Sequence, residues 1–510
     1  MIVTNQMYPL PTSYSGIKQL QNQLTNLQAQ LASGDKAQTL ADMGSVRYSD
    51  LTVRARLSRL TGYDANIGTV NLRLGMMNQV LSSATTINSS TRSSLVAGAY
   101  GTSNINLTTA PSTAKTQLDQ LLTSLNTDIN GHYLFGGGVT DQAPVATVDA
   151  ALNGAGGKDG FATVAAQRLK ADQGADGLGR LTLTSTADTV NLAEDGAHPF
   201  GFKLDTVGSS STAFTLTQPS GTPAALAVQV ATQPADGDTL TVGLKLPDGT
   251  TDSIALKAVT GTPKNPGEFQ IGATTADTAA NLSAALHSSL QTEGSTTLAV
   301  ASNFAAANGF FTGQGQSIQR VAVDPVSGDY YAATGYETTA QAAGHTVQWY
   351  AGEDSNGAAR ASVTTKVDDS TNVSYGVEAN EAGFAQLVRS LAVQSIQSLP
   401  STSDAQTATS QAKFDALATR VSTNLSGAND SVSGSIASIT VDLGLAQVTL
   451  KNLSDRHTAY TAQLKDVLSN AEQADPNEVA SALLELQTRL SASYSATAMI
   501  SQLQLANYLK

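Results

Sequence analysis

Both ends of the chain carry apolar residues at the spacing of a coiled coil, and this feature constrains the fold most. Near the N terminus the residues at this spacing are Ile17, Leu20, Leu24, Leu27 and Leu31. Steps of three and four residues place them along one face of a helix that packs lengthwise against another helix. Gly34 comes just after this series and is a typical helix stop. The sequence therefore predicts a seam-bearing helix that ends near Gly34.

The C-terminal end repeats the pattern. Asp475 and Pro476 are expected to start a final helix, because proline is tolerated in a first helical turn. The apolar series that follows is Val479, Leu483, Leu486, Leu490 and Tyr494, then Ile500 and Leu503. We expect the two terminal seams to pair with each other as a coiled coil.

Further helices are predicted next to each end. Apolar periodicity indicates one helix over about 51–87 and another over about 113–130. On the C-terminal side a helical zone begins near Leu387 and is interrupted at Pro400, and residues 401–438 keep only a sparse apolar rhythm. These segments are expected to form a helical rod beside the terminal pair.

The middle of the chain changes from helical to alternating periodicity. Leu240, Val242, Leu244 and Leu246 alternate with polar residues and glycine, and the turn sequence 247–250 (Pro-Asp-Gly-Thr) follows. This pattern predicts a β-hairpin. Other predicted strands cover 181–183, 214–216, 346–350 and 373–377, with one short helix at 278–290.

These patterns together predict an α+β fold, in which both chain ends form a long antiparallel helical coiled-coil core around an inserted β-rich domain. The expected domains are a terminal coiled coil (1–40 with 465–510), a helical rod (41–142 with 381–464) and a β-rich outer domain (143–380).

An energy estimate indicates that the terminal helices need a partner. Burying the five seam residues between Ile17 and Leu31 contributes about 10 kcal/mol. Ordering the fifteen residues of that segment costs ~15–30 kcal/mol of backbone entropy, so an isolated helix is marginal. One interpretation is that the seams pack only within the chain, as in an ordinary helix bundle. Their position at both extreme ends, around a non-helical insertion, instead favours packing against neighbouring subunits.

Composition excludes several functions. The formal net charge is −13 and no basic run exceeds a pair, which argues against nucleic-acid binding. The chain has no cysteine, so disulfides, thiol catalysis and cysteine-based metal sites are excluded. We expect no cleavable signal peptide and no membrane span, because the start lacks a basic, apolar leader and no apolar run approaches ~18 residues.

Catalytic and ligand motifs are also missing, so we predict no enzyme activity, catalytic residue, cofactor or metal. The histidines lie far apart and form no zinc motif; they are His132, His198, His287, His345 and His457. The segment 154–159 lacks the residues of a phosphate loop and is expected to be a turn. The glycine–serine elbow of a hydrolase fails at Asn429. Asp236, Asp238 and Asp248 lack a calcium loop and are expected to be turn residues.

Four segments resemble one family. Residues 30–34 (Gln-Leu-Ala-Ser-Gly) are similar to a signature of bacterial flagellins and flagellar hook-associated proteins. The segments 133–137, 367–380 and 486–503 resemble, within that superfamily, the hook–filament junction proteins (hook-associated protein 3). The chain end, 508–510, also departs from the usual end of filament flagellins.

The resemblance implies a structural subunit that joins hook to filament by self-assembly through its terminal helices. It also implies an extracellular location in the flagellum, after type III export without a cleaved signal peptide. The implied partners are further copies of the chain, flagellin, the other hook–filament junction protein and an export chaperone that covers about 479–503. Nucleic acid and membrane are not expected partners. Two alternatives stay open, a filament flagellin and a secreted adhesin-like or carbohydrate-binding module.

Overall fold

The computed structural model describes residues 10–311, 318–355 and 357–508, without the side chains of 10–13 and 503–508. Long helices lie toward both ends of these ranges. The α-helices are α1 Leu10–Ser33, α2 Arg47–Ser94, α3 Ile105–Leu125, α4 Val148–Asn153, α5 Phe161–Gln173, α6 Thr275–Ser295, α7 Thr297–Phe310, α8 Thr339–His345, α9 Ala359–Ser362, α10 Ala382–Ser395, α11 Asp404–Asn424, α12 Ile436–Glu472 and α13 Pro476–Tyr508.

The strands lie between these helical ends. They are β1 Asp128–Ile129, β2 His132–Tyr133, β3 Gly154–Ala155, β4 Lys158–Asp159, β5 Leu181–Thr186, β6 Thr189–Glu194, β7 Lys203–Ser209, β8 Phe214–Ser220, β9 Ala225–Val230, β10 Thr239–Lys245, β11 Thr251–Val259, β12 Glu268–Gln270, β13 Thr364–Lys366 and β14 Asn372–Ser374. Helical ends around a β-rich middle confirm the predicted α+β class.

The described residues divide into two compact units. The first unit contains residues 10–71, 365–373 and 448–508, and the second contains the remaining described residues between 72 and 447. The predicted division into three domains remains a prediction. No helix in the described part of the chain is long and apolar enough to cross a membrane.

Helices make up most of the first unit. Its terminal helices, α1 and α13, run antiparallel, since Gln21 contacts Tyr494 while Leu27 lies near Leu486. The parts of α2 and α12 within this unit pack through a separate apolar cluster, whose members are Val53, Leu57, Leu60, Leu464 and Leu468. The predicted pairing of the two chain ends is confirmed.

The second unit contains two four-stranded sheets. One has the order β5-β6-β9-β8 and is antiparallel throughout. The other has the order β12-β11-β10-β7, with β12 parallel to β11. Side chains of both sheets and of α6 share one apolar core, which includes Leu192, Leu240, Leu256 and Leu282.

The predicted hairpin in this core is confirmed with its register. Leu240 pairs with Leu256, and Lys245 pairs with Thr251 across the turn. The Asp248 carboxylate accepts a hydrogen bond from the Thr250 backbone N–H at 3.1 Å. Gly249 has a φ of +84°, a conformation that glycine adopts at low cost.

Three predicted elements differ from the structure. The helix predicted for 113–130 ends at Leu125, because Asn130 and Gly131, both with positive φ, form a two-residue turn between β1 and β2. The strand predicted for 346–350 is wrong. Its residues make only isolated bridges, from Thr346 to Asp159 and from Tyr350 to Val145. The strand predicted for 373–377 shortens to β14.

Candidate assembly site: the terminal helix pair

The joint between α1 and α13 depends on local sequence signals. Gly34, with a φ of +79°, follows the last residue of α1, as predicted. At the start of α13, the Asp475 carboxylate accepts a hydrogen bond from the Asn477 N–H at 2.8 Å. Backbone hydrogen bonds join the two helix ends, from Ala474 N–H to the Gly34 carbonyl (2.8 Å) and from Lys36 N–H to the Glu472 carbonyl (2.7 Å).

The predicted seam residues lie along this pair but are unequally covered. Ile17, Val479 and Leu486 are buried. The half-buried members are Leu20, Leu24, Leu27, Leu483 and Leu490. Leu31 and Ile500 are each 47% exposed. The side chain of Leu503 lies outside the described residues. The seam is therefore only partly covered by the other helix.

Further apolar surface of α13 is exposed. Leu484 is 65% exposed, and Tyr494 and Met499 are also exposed. A shallow groove of about 350 Å³ lies between the helices, with Leu27 and Leu486 among its lining residues. Such a surface can accept apolar side chains of a further helix.

Polar contacts flank the helix pair. The Gln21 side-chain amide donates to the Tyr494 hydroxyl at 2.6 Å, and Arg489 pairs with Glu485 one turn earlier on α13 at 2.5 Å. Both partners of the Arg489 pair are exposed, so this ion pair contributes little to stability. Packing of the seam carries most of the stability of the pair.

A charged cluster lies beside the joint. Arg54 of α2 pairs with the buried carboxylate of Asp50 at 3.2 Å and also with Glu472 at the end of α12. The hydrogen bond between the Glu472 and Asp50 carboxyl groups raises the pKa of Glu472, and burial adds to this effect. Arg54 opposes the shift. The cluster ties α2 to the end of α12 next to the terminal pair.

A buried histidine fills a gap in a second seam, the apolar contact between α2 and α12. On α2 the apolar spacing Val53, Leu57, Leu60 weakens at Asp64, and on α12 His457 lies between Leu453 and Leu464 at the same kind of position. The His457 ring is buried, and its Nδ1 lies 3.0 Å from Oδ1 of Asp64. In the sequence, this histidine lies far from the other four. Its position within the heptad spacing was the signal that it belongs to the seam.

The 365–373 segment is held to the same two helices. The Tyr63 hydroxyl donates to Asp369 at 2.9 Å, Arg456 pairs with Asp368, and the Asn66 side chain donates to the Lys366 carbonyl at 2.9 Å. This segment begins one of the stretches that resemble the junction proteins. Its acidic residues serve as anchors to the helices.

The three aspartates considered for a calcium site have structural partners. Asp236 accepts the Thr260 N–H at 2.8 Å and Asp238 accepts the Ala235 N–H at 2.9 Å, both in turns. Asp248 pairs with Arg420 at 2.6 Å. Among the described residues, no group of three or more histidine or acidic side chains is arranged to hold a metal.

A known family model covers the first part of this architecture. Residues 2–140 match the model of the bacterial flagellin N-terminal helical region, a range that includes the described α1, α2 and α3. The match supports the bacterial flagellin superfamily. It therefore supports a self-assembling structural subunit of the flagellum, outside the cell. No curated protein matches the chain.

Proposed function

We propose that the protein is a hook–filament junction subunit that assembles through α1 and α13. The observation that carries the proposal is the half-covered seam of this helix pair, on a chain whose N-terminal region matches flagellin. Neighbouring subunits would complete the burial that the chain itself leaves unfinished.

The exposed part of the seam is apolar surface that a neighbouring subunit would bury. Fully burying a leucine or isoleucine side chain stabilises a structure by about 1.5–3 kcal/mol. Leu31 and Ile500 keep nearly half of their exposure, and several other seam residues are only half-buried. A second helix pair placed on this surface would recover that free energy, and repetition along an assembly would multiply it.

The junction assignment is supported by the resemblance of residues 133–137. In the structure, this stretch begins at the end of β2 and is held by a backbone hydrogen bond from Gly137 N–H to the Val377 carbonyl (3.1 Å) and one from Ala379 N–H to the Phe135 carbonyl (2.8 Å). Gly137 has a φ of +62°, which allows the chain to turn there. The stretch 133–137 thus contacts residues 377–379, the end of the second stretch that resembles junction proteins.

The same proposal includes partners and a route. Flagellin and the other hook–filament junction protein would contact the assembled subunits, and an export chaperone would cover about 479–503 before assembly. Export through the type III channel requires threading of an unfolded chain, and the absence of cysteine is compatible with that route.

The test is deletion of the gene in its host, with motility assays and electron microscopy of the cell-attached structures. Bare hooks, with flagellin shed into the medium, are the expected result. Hooks that carry both junction layers but no filament would assign the protein to the filament flagellins instead. Motile cells with intact filaments, and with no second copy of the gene, would contradict both assignments and favour an adhesin-like module.

A further inference from the structure

The second unit contains an open cavity of about 700 Å³ that the assembly proposal does not use. Its walls come from the turn between β10 and β11 and from α7, α10 and α11. Cavities of this size are typical of small-molecule sites, which combine a few convergent polar groups with an enclosing wall.

Arg389 on α10 is the cation of this lining that has no ion-pair partner among the described residues, and the same lining also holds the carboxylates of Asp252 and Asp415. Its Nε donates to the Ala385 carbonyl at 3.1 Å and its Nη1 donates to the Asn308 side-chain oxygen at 2.9 Å. Among the described residues, its guanidinium group forms no ion pair with a carboxylate. Burial lowers the pKa of Arg389, because a charge removed from water without a counter-charge is destabilised. An anion that entered the cavity would relieve this cost.

The other charged residues of the lining are already engaged, with one exception. Arg420 pairs with Asp248, and both are buried. Asp415 accepts hydrogen bonds from the Gly98 N–H (2.8 Å) and the Tyr100 hydroxyl (2.6 Å). Asp252 forms no ion pair among the described residues and accepts only the N–H of the next residue. It remains available to accept hydroxyl hydrogen bonds.

The rest of the lining suits a hydroxyl-rich ligand. The uncharged polar residues carry hydroxyl or amide groups. Thr250, Thr419 and Thr423 already donate their hydroxyl hydrogens within the protein, so their oxygens remain as acceptors, and Gln386 and Asn424 add amide groups. Such side chains exchange hydrogen bonds with sugar hydroxyls as donor and acceptor. We propose that this cavity binds a carboxylate-bearing sugar, with Arg389 donating to the carboxylate and Asp252 accepting from a hydroxyl.

The test measures binding of glucuronate and of glucose to the full chain by isothermal titration calorimetry. Glucuronate should bind saturably, and glucose, which lacks the carboxylate, should bind roughly tenfold more weakly or worse. Arg389→Gln should reduce glucuronate binding to the level of glucose. Acetate should compete poorly, because it offers no hydroxyl to Asp252.

A second variant keeps the test decisive if Arg389→Gln affects folding. Asn308→Asp would place a carboxylate at the atom that Arg389 already contacts, so it should abolish glucuronate binding while preserving the native fluorescence of Trp349. Arg489→Gln, on α13, is the control and should bind as the wild type does. The proposal is overturned by absent glucuronate binding, by equal binding of glucose, by effective competition from acetate, or by unchanged binding in both cavity variants.

Discussion

The two compact units differ in how completely they bury their apolar side chains. In the second unit, core residues such as Leu240, Val242, Leu256 and Leu282 are fully buried within the chain. In the terminal pair of the first unit, the equally regular seam series of α1 contains one buried residue, Ile17, while Leu31 is nearly half exposed. Regular apolar periodicity thus leads to full burial in the second unit and to partial burial in the terminal helix pair.

This difference indicates which unit is self-sufficient. A core that excludes water on all sides is stable without further partners, whereas a two-helix pair has too little interior to cover its own apolar stripe. Stability of the terminal pair should therefore depend on assembly, and stability of the second unit should not. Trp349, the single tryptophan, is buried in the second unit and reports on that unit alone.

The largest effect is expected from Leu486→Asp. A carboxylate at this buried position of α13 would be desolvated without a partner, which costs several kcal/mol. We expect loss of assembly, measured by sedimentation and electron microscopy, with unchanged Trp349 fluorescence. Gln487→Asp adds the same charge at the next, exposed residue and is the matched control. Normal assembly of Leu486→Asp would show that the seam does not direct assembly.

Leu256→Ala tests the self-sufficient unit. Leu256 pairs with Leu240 in the core sheet and is fully buried, so truncation should lower the free energy of unfolding by about 2–5 kcal/mol. Urea denaturation followed by Trp349 fluorescence measures this change. The comparison variant is Leu24→Ala in the half-buried seam, which should leave the Trp349 transition in place. An unchanged urea midpoint for Leu256→Ala would contradict the expectation that the core of the second unit stabilises it without assembly.

Much of the architecture was predictable because local signals agreed with the tertiary fold. The seams of α1 and α13, the start at Pro476, the stop at Gly34 and the hairpin at 247–250 were all visible in the sequence. In each case, periodicity and end signals point to the same element. The match of residues 2–140 to the flagellin N-terminal helical region agrees with this part of the prediction.

Other features could not be predicted, for identifiable reasons. Nearly every residue of α7 is buried, so this helix has no polar face that would reveal its period. The cavity beside Arg389 joins residues from 246 to 424, and no spacing rule links them. The partner of His457 lies 393 positions away in the sequence. Such sites arise only when distant segments pack together.

His457 gives a smaller, sharper comparison within the first unit. His457→Ala removes both the hydrogen bond to Asp64 and the volume that fills the seam, so we expect a loss of about 1–3 kcal/mol. His457→Leu restores apolar volume and should stay within about 1 kcal/mol of the wild type. Thermal denaturation followed by circular dichroism at 222 nm measures both. Equal losses in the two variants would mean that the hydrogen bond to Asp64, and not the filling of the seam, stabilises the packing of α2 against α12.

The smallest expected effect is a change in the stability of the second unit at acidic pH. Before β12, the Glu268 carboxylate accepts hydrogen bonds from the Asn265 side chain (2.7 Å) and from the backbone N–H groups of Lys264 (2.8 Å) and Asn265 (3.1 Å). These hydrogen bonds lower the pKa of Glu268 from 4.5 to about 2, and the one from the Asn265 side chain has the largest effect. Because the folded state holds the depressed pKa, the stabilisation is present above pH 4.5 and is lost as the pH falls from there toward 2.

Glu268→Gln should therefore lower the Trp349 melting temperature at pH 6, and the gap from the wild type should shrink as the pH approaches 2. Glu478→Gln, an exposed position of α13, makes the same substitution in the first unit and should leave the Trp349 transition unchanged at every pH. A gap between wild type and Glu268→Gln that stays constant from pH 6 to pH 2 would rule out titration of Glu268 as its cause.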